Sequence, residues 1–180
     1  IAAISLVGYV AMRLLGPNTI GLVNVTDHTV LSPSVALELA PLTAGKVGLV
    51  SQSGGILGSV LSRAEARGIG FSRLVGTGNE VDLQVEDIVE YLLDDAETTV
   101  IALYLEGLRD VARFRRAALR ARELGKPIVA FKVGRSEAGA LSAASHTGAL
   151  AGSDKVYAAL FEQHGVFRAA SDGGRSRPEL

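Results

Sequence analysis

The chain has 180 residues, 48% hydrophobic and 21% charged, with a formal net charge of -1. That length suits one domain, or one domain with part of another, and the near-neutral balance gives no electrostatic pull toward nucleic acid or an anionic membrane. The absence of cysteine excludes disulfides, thiolate catalysis and cysteine-based zinc sites, and the 3 histidines (His28, His146 and His164) are too scattered for a metal cage.

The sequence opens on Ile1 rather than Met, so a fragment is expected. Ile1 to Met12 is apolar but too short to span a bilayer. It also lacks the basic start and cleavage pattern of a signal peptide, so a cytoplasmic location is expected. Ile1 to Ala11 reads as a helix or buried segment, interrupted at Gly8. Met12 to Leu15 reads as a short strand running into the turn Gly16-Pro17-Asn18. Thr19 to Val25 is a further short strand. Asp27 to Ala44 is mixed, holds Pro33 and Pro41, and reads as a linker.

From Gly45 the pattern becomes regular. Val47 to Ser51, Phe71 to Val75, Thr99 to Leu105 and Ile128 to Val133 are short, nearly continuous apolar runs, the mark of buried strands. Helical stretches separate them. Ile56 to Ala66 stops at Gly68. Val85 to Leu93 sets Val85, Ile88, Val89, Leu92 and Leu93 at helical spacing, with Glu86, Asp87 and Glu90 on the other side. Val111 to Leu124 is rich in arginine and ends at Gly125-Lys126-Pro127. Ser153 to Gln163 and a last short strand, Val166 to Ala169, close the series. Ser171 to Leu180 is polar with no apolar period and is expected to be disordered.

Strands alternating with helices predict an α/β fold: a flavodoxin-like, doubly wound parallel sheet in three layers. Ligands in such sheets bind beyond the carboxyl ends of the strands. Four polar or glycine-rich stretches fall there: Ser51 to Gly55, Gly76 to Asn79, Glu106-Gly107, and the loop after Val133 that carries His146.

Ser145 to Gly152 is a loop of small residues around His146, followed by a helix start. An imidazole with an ordinary pKa of about 6.5 is an available nucleophile near neutral pH. Free N–H groups at a helix start suit a phosphoryl group. These features make His146 a candidate for transient phosphorylation, against the alternative of a surface histidine. Ser51-Gln52-Ser53-Gly54-Gly55 joins a strand to a helix and reads equally as an anion site or as a plain turn with an N-cap serine. Glu106 can fix the tautomer of His146 and stabilise its cation, or simply be a solvated loop glutamate. The start Gly76-Thr77-Gly78-Asn79-Glu80-Val81 fails as a dinucleotide fingerprint because Val81 replaces the third glycine. Neither a P-loop nor a nucleophile elbow is present. His28 reads as structural or exposed, His164 as a cation at a helix end, and the arginine-rich helix as a solvated face.

Taken in order, several motifs resemble the NDP-forming acyl-CoA synthetases, relatives of the succinyl-CoA synthetase α subunit. They are Leu15-Gly16-Pro17-Asn18, Gly48 to Gly55, Gly76 to Asn79, Tyr104-Leu105-Glu106-Gly107, Lys132 to Ser136, and Ser145 to Leu150. The resemblance covers Arg13 to about Val166.

It implies an acid–CoA ligase. Such an enzyme forms acyl-CoA reversibly from a carboxylate, CoA and ATP, through an acyl phosphate and a phosphohistidine. It implies His146 as the phosphorylated residue and Glu106 as its orienting carboxylate. Ser53, Gly54, Gly55 and Gly148 would bind phosphate, and Asn18, Ser51 and Asn79 would stand at the CoA and acyl site. No metal site is implied. CoA and ATP or ADP with Mg enter as substrates of the complete enzyme, none held tightly by this chain. The implied partners are a CoA-binding domain, an ATP-grasp domain or subunit and a carboxylate, with no nucleic acid or membrane, and an oligomer is expected. Residues 1–44 are expected to be the end of a CoA-binding domain with its linker, and 45–170 the flavodoxin-like ligase domain. Residues 171–180 would be a tail, and the isolated chain is expected not to turn over. A non-catalytic module of the same fold is the alternative. A flavodoxin-type cofactor carrier ranks last, because the rim loops offer no aromatic shelf.

Overall fold

The structure, a computed structural model, describes residues 12–34, 37, 42–133 and 154–169. The expectations for Ile1 to Ala11, for the His146 loop with Gly148, and for the tail lie outside the described residues.

The regular part begins with β3 (Ala44–Ser51), preceded by two short strands, β1 (Leu22–Asn24) and β2 (Thr29–Leu31). There follow α1 (Gly54–Glu65), β4 (Phe71–Gly76), α2 (Val85–Asp94), β5 (Val100–Leu105), α3 (Val111–Glu123), β6 (Ile128–Lys132), α4 (Asp154–His164) and β7 (Phe167–Arg168). One sheet holds all the strands, in the order β2-β1-β4-β3-β5-β6-β7. From β4 to β7 all pairings are parallel, and their order is that of the flavodoxin-like doubly wound sheet. The chain winds one way from β3 to β4 and the other way from β4 to β5. The carboxyl ends of β3 and β5 therefore flank the switch point, where a crevice opens.

Alternation along the strands divides the core. Val50, Val75, Leu103 and Leu105 face α2, α3 and α4, where they meet Val89, Leu92, Phe114, Tyr157 and Phe161. Leu49 and Leu74 face the other way, onto Leu57, Leu61 and Ala64 of α1 and Val23 of β1. Phe114 and Phe161 are tilted at 6.1 Å between ring centres, and truncating a buried ring of this kind costs about 3–5 kcal/mol.

Two local expectations are corrected. Thr29–Leu31, placed in a linker by its mixed composition, pairs with β1 as an antiparallel hairpin on the sheet edge. The hairpin is joined to the parallel part by β1–β4 pairing, which returns Asn24 beside Arg73. Met12 to Leu15 forms no strand. Its backbone is instead stitched to the loop after β4, with Leu14 N donating to Asp82 Oδ2 at 2.8 Å and Leu83 N to Leu14 O at 3.0 Å. His164 lies in the last turn of α4, as expected, and is buried there, with Arg115 Nε donating to its Nε2 at 3.1 Å and its Nδ1 2.9 Å from Leu160 O. The arginine-rich helix also uses its charges on neighbours: Arg113 pairs with Asp87 at 2.8 Å and Arg120 with Glu90 at 2.8 Å on α2.

Candidate functional site

Each described rim loop is fixed by a bond to the next. Thr77 N donates to Ser51 O at 2.9 Å, holding the loop after β4 to the end of β3. Asn79 N donates to Pro17 O and Val81 N to Gly16 O, both at 2.9 Å, which draws the cis Gly16–Pro17 turn onto the same loop. Gly78, at φ +62°, makes this closeness possible, since a Cβ there would collide with the carbonyl oxygen of Pro17. Asn18, at φ 56°, then turns its amide toward Asn79, and its Nδ2 donates to Asn79 Oδ1 at 3.2 Å.

The result is a cavity of about 330 Å³ at the switch point, lined by Asn18, Thr19 and Ile20, by Gln52 to Gly55, and by Asn79 and Glu106. Six of the nine predicted site residues thus gather: Asn18, Ser53, Gly54, Gly55, Asn79 and Glu106. Ser51 does not join them. It is buried, and its hydroxyl donates to Ser53 O at 2.7 Å while accepting from Ser53 N at 3.2 Å, so it shapes the turn from below. His146 and Gly148 lie outside the described residues.

The helix α1 starts at this cavity. Ser53 is its N-cap by position but makes no side-chain cap bond, so its first-turn N–H groups are available to an acceptor. The two glycines there differ. A methyl group on Gly54 would meet Ile20 Cγ2 at 2.7 Å, whereas one on Gly55 would meet nothing within 4 Å. The helix mouth is therefore walled on one side and open on the other.

Beneath the cavity floor lies a polar layer the sequence reading did not single out. Gln52 is 9% exposed and reaches across from β3 to the end of β5. Glu80 is 3% exposed, at φ 54°, and accepts from Gln52 Nε2 at 3.0 Å and from Val85 N at 3.2 Å. Burial pushes the Glu80 carboxyl above its usual range, and the bond from Gln52 pulls the other way. Arg109 leans over this layer, its Nε 3.6 Å from Glu80 Oε2 and its Nη2 donating to Asn79 O at 2.9 Å.

Glu86, expected on the solvated side of its helix, is fully buried and accepts from Asp110 N at 3.2 Å; burial raises its pKa as well. At the end of β6 the Lys132 ammonium lies 4.7 Å from the centre of the Tyr157 ring, and burial lowers its pKa. The one available signal for Gln52 was an amide among small residues at a strand-to-helix turn. Glu80 gave none, because its left-handed backbone is not visible in composition.

No cluster of metal-ligating side chains and no helix long and apolar enough to cross a membrane occurs among the described residues. The model of the succinyl-CoA ligase like flavodoxin domain matches residues 44–173. The chain belongs to this family.

Within the succinyl-CoA ligase-like family, the chain is 43% identical over 158 residues to an ADP-forming acetate–CoA ligase of Methanocaldococcus jannaschii, covering 88% of this chain and 22% of that protein. It is 42% identical to the α subunit of ADP-forming acetate–CoA ligase II of Pyrococcus furiosus, covering 86% of this chain and 33% of the subunit. The chain thus spans between a fifth and a third of the length of these relatives. Its fold matches a dinucleotide-forming acetyl-coenzyme A synthetase of Ca. Korarchaeum cryptofilum, solved with phosphate and ADP, at a TM-score of 0.81 and 35% identity over 91% of this chain and 35% of that one.

Proposed function

We propose that this chain is the phosphoryl-shuttle part of an NDP-forming acyl-CoA synthetase, making acyl-CoA reversibly from a carboxylate, CoA and ATP. In the synthetic direction, a ring nitrogen of His146 attacks the γ-phosphorus of ATP on an ATP-grasp partner, and the bond to the leaving ADP oxygen breaks. The carboxylate oxygen then takes the phosphoryl group from His146 to give an acyl phosphate. The CoA thiol, losing its proton, displaces inorganic phosphate from the acyl carbon.

Each group of this chain has one task in that cycle. Glu106 accepts the N–H of the imidazole, fixing the tautomer and stabilising the cation formed on phosphorylation. The open mouth of α1 at Ser53, Gly54 and Gly55, together with Gly148, holds the phosphoryl oxygens. A helix start contributes about 0.3–1 kcal/mol to an exposed anion and up to about 2 kcal/mol to a partly buried one, enough to hold without trapping. Asn18 and Asn79 offer amides to the acyl and CoA side, and Ser51 supports the turn they face. Mg arrives with the nucleotide, and this chain's residues act only on the transferred group.

In this reading residues up to about 44 bring the chain out of a CoA-binding domain, with the β1–β2 hairpin docking that stretch on the shuttle sheet. Residues 45–170 form the shuttle unit. The water-soluble reactants suit the cytoplasm.

The observation that carries the proposal is the sharing of one switch-point cavity by Glu106, the open Gly55 and the Asn18–Asn79 pair, in a chain of this family. Mixing the chain with an ATP-grasp partner and radiolabelled ATP should place acid-labile label on His146. Label retained by His146→Asn overturns the assignment. A coupled assay of the isolated chain should give no acyl-CoA, and turnover there would show that no ATP-grasp partner is needed.

A further inference from the structure

We propose that Gln52 is the positioning residue for Glu106: suspended from the buried Glu80, it clamps the Glu106–Gly107 peptide and so sets the carboxylate at the cavity. The proposal rests on the reading of Glu106 given above. Gln52 Oε1 accepts from Glu106 N at 2.5 Å and from Gly107 N at 3.0 Å. Its Nε2 donates to Gly107 O at 2.8 Å and to Glu80 Oε1 at 3.0 Å.

All four hydrogen-bonding positions of the amide are therefore used, and only one orientation works. Two backbone N–H groups require the oxygen, while a carbonyl and a carboxylate require the nitrogen. The backbone of Gln52 is held in parallel, its N–H donating to Tyr104 O at 3.2 Å. The clamp thus ties both sides of the switch point together directly behind the cavity. Glu80 is fixed in turn by Val85 N at the start of α2. The network is buried, so water offers Gln52 no easy replacement partners and its geometry is transmitted.

The clamp fixes the backbone from which the Glu106 side chain springs, and displacing a reacting group by about 1 Å is worth up to about 100-fold in rate. Gln52→Met keeps the shape and removes all four bonds. Gln52→Glu keeps the acceptor toward the Glu106 and Gly107 N–H groups but sets a carboxylate oxygen against both Glu80 and the Gly107 carbonyl.

The test is the rate of His146 labelling by ATP in the complete enzyme, at saturating and limiting ATP. Gln52→Met and Gln52→Glu should slow labelling at saturating ATP by about 10- to 100-fold with the half-saturating ATP concentration unchanged. An unchanged rate in Gln52→Met, with Glu106→Gln slowed, overturns the positioning role and leaves Glu106 standing. An unchanged rate in Glu106→Gln overturns the reading of Glu106 and the clamp's purpose with it. Should Gln52→Met fail to fold, amide exchange in the parent decides. Slow exchange at Glu106 and Gly107 supports the clamp, and exchange at the rate of unprotected amides overturns it.

Discussion

At the amino ends of the strands the buried Arg73 meets the half-buried Asp95 at 3.1 Å; at the carboxyl ends Glu80 and Glu86 are both buried, and among the described residues Arg109 is the one cation that reaches toward either, at 3.6 Å. Around the first pair every bond closes. Thr98 Oγ1 donates to Asp95 Oδ2 at 2.6 Å and shares a 2.7 Å bond with Ser72, and Arg73 also donates to Thr26 and to Ser72 O. Around the second, two like charges crowd one layer, burial lifts both carboxyls, and Glu86 Oε2 has no hydrogen-bond partner among the described residues. One end of the sheet satisfies its charges internally; the other keeps an electrostatic cost next to the cavity. Uncompensated groups of that kind gather where a fold serves a ligand rather than its own stability.

The largest effect expected from this contrast is at the balanced end. Asp95→Ala strands the Arg73 guanidinium in the interior and should lower unfolding free energy by about 3–5 kcal/mol in denaturant titration, with His146 labelling per folded molecule unchanged. A loss below about 1 kcal/mol would erase the distinction between the two ends.

Glu86→Gln should act differently and with pH. The folded chain binds the Glu86 proton more tightly than the unfolded chain does, so the favourable contribution is complete below the ordinary value of 4.5 and is lost as pH rises through the raised folded value. The variant lacks this titration. Its stability relative to the parent should therefore improve across that window, by about 1–3 kcal/mol, the cost of a buried group left unpaired. Parallel pH curves for the two proteins would refute it.

The smallest effect is at the helix mouth. Gly55→Ala enters open space within a helix and should raise stability by about 0.5–1 kcal/mol, while slowing His146 labelling by covering the phosphoryl position. A variant that gains stability at no loss of labelling would move the anion site away from α1.

The parallel core was legible because its strands are buried on both faces and so read as unbroken apolar runs. Phe71–Gly76 is buried throughout and was placed within one residue. The three helices after β3, β4 and β5 were found from their apolar spacing and their glycine or proline stops. The hairpin was not: Thr29–Leu31 is an edge strand of three residues whose alternation is too short to register. At the site, the glycine turn, Asn79 and Glu106 were legible because each follows a strand, whereas Asn18 follows none and was reached through the motif Leu15-Gly16-Pro17-Asn18. Ser51 has the same composition and position, but its hydroxyl is spent on the backbone of its own turn. Glu80 and Gln52 stayed hidden because their meaning lies in pairing across 28 residues of sequence, set by a left-handed backbone at Glu80. Glu86 was misplaced because the turn at Asp110, far along the chain, folds down to cover it.

The stitching of Leu14 to Pro17 onto Asn79 to Leu83 has a consequence for biosynthesis. Because the cavity wall draws on Asn18 and its floor on Glu106, a ribosome-bound chain has no such cavity until the third parallel strand has left the exit tunnel and docked. Early-emerging residues must wait, unpaired, for partners translated much later. Translational pausing between those two points would therefore prolong the interval in which the hairpin edge lies bare.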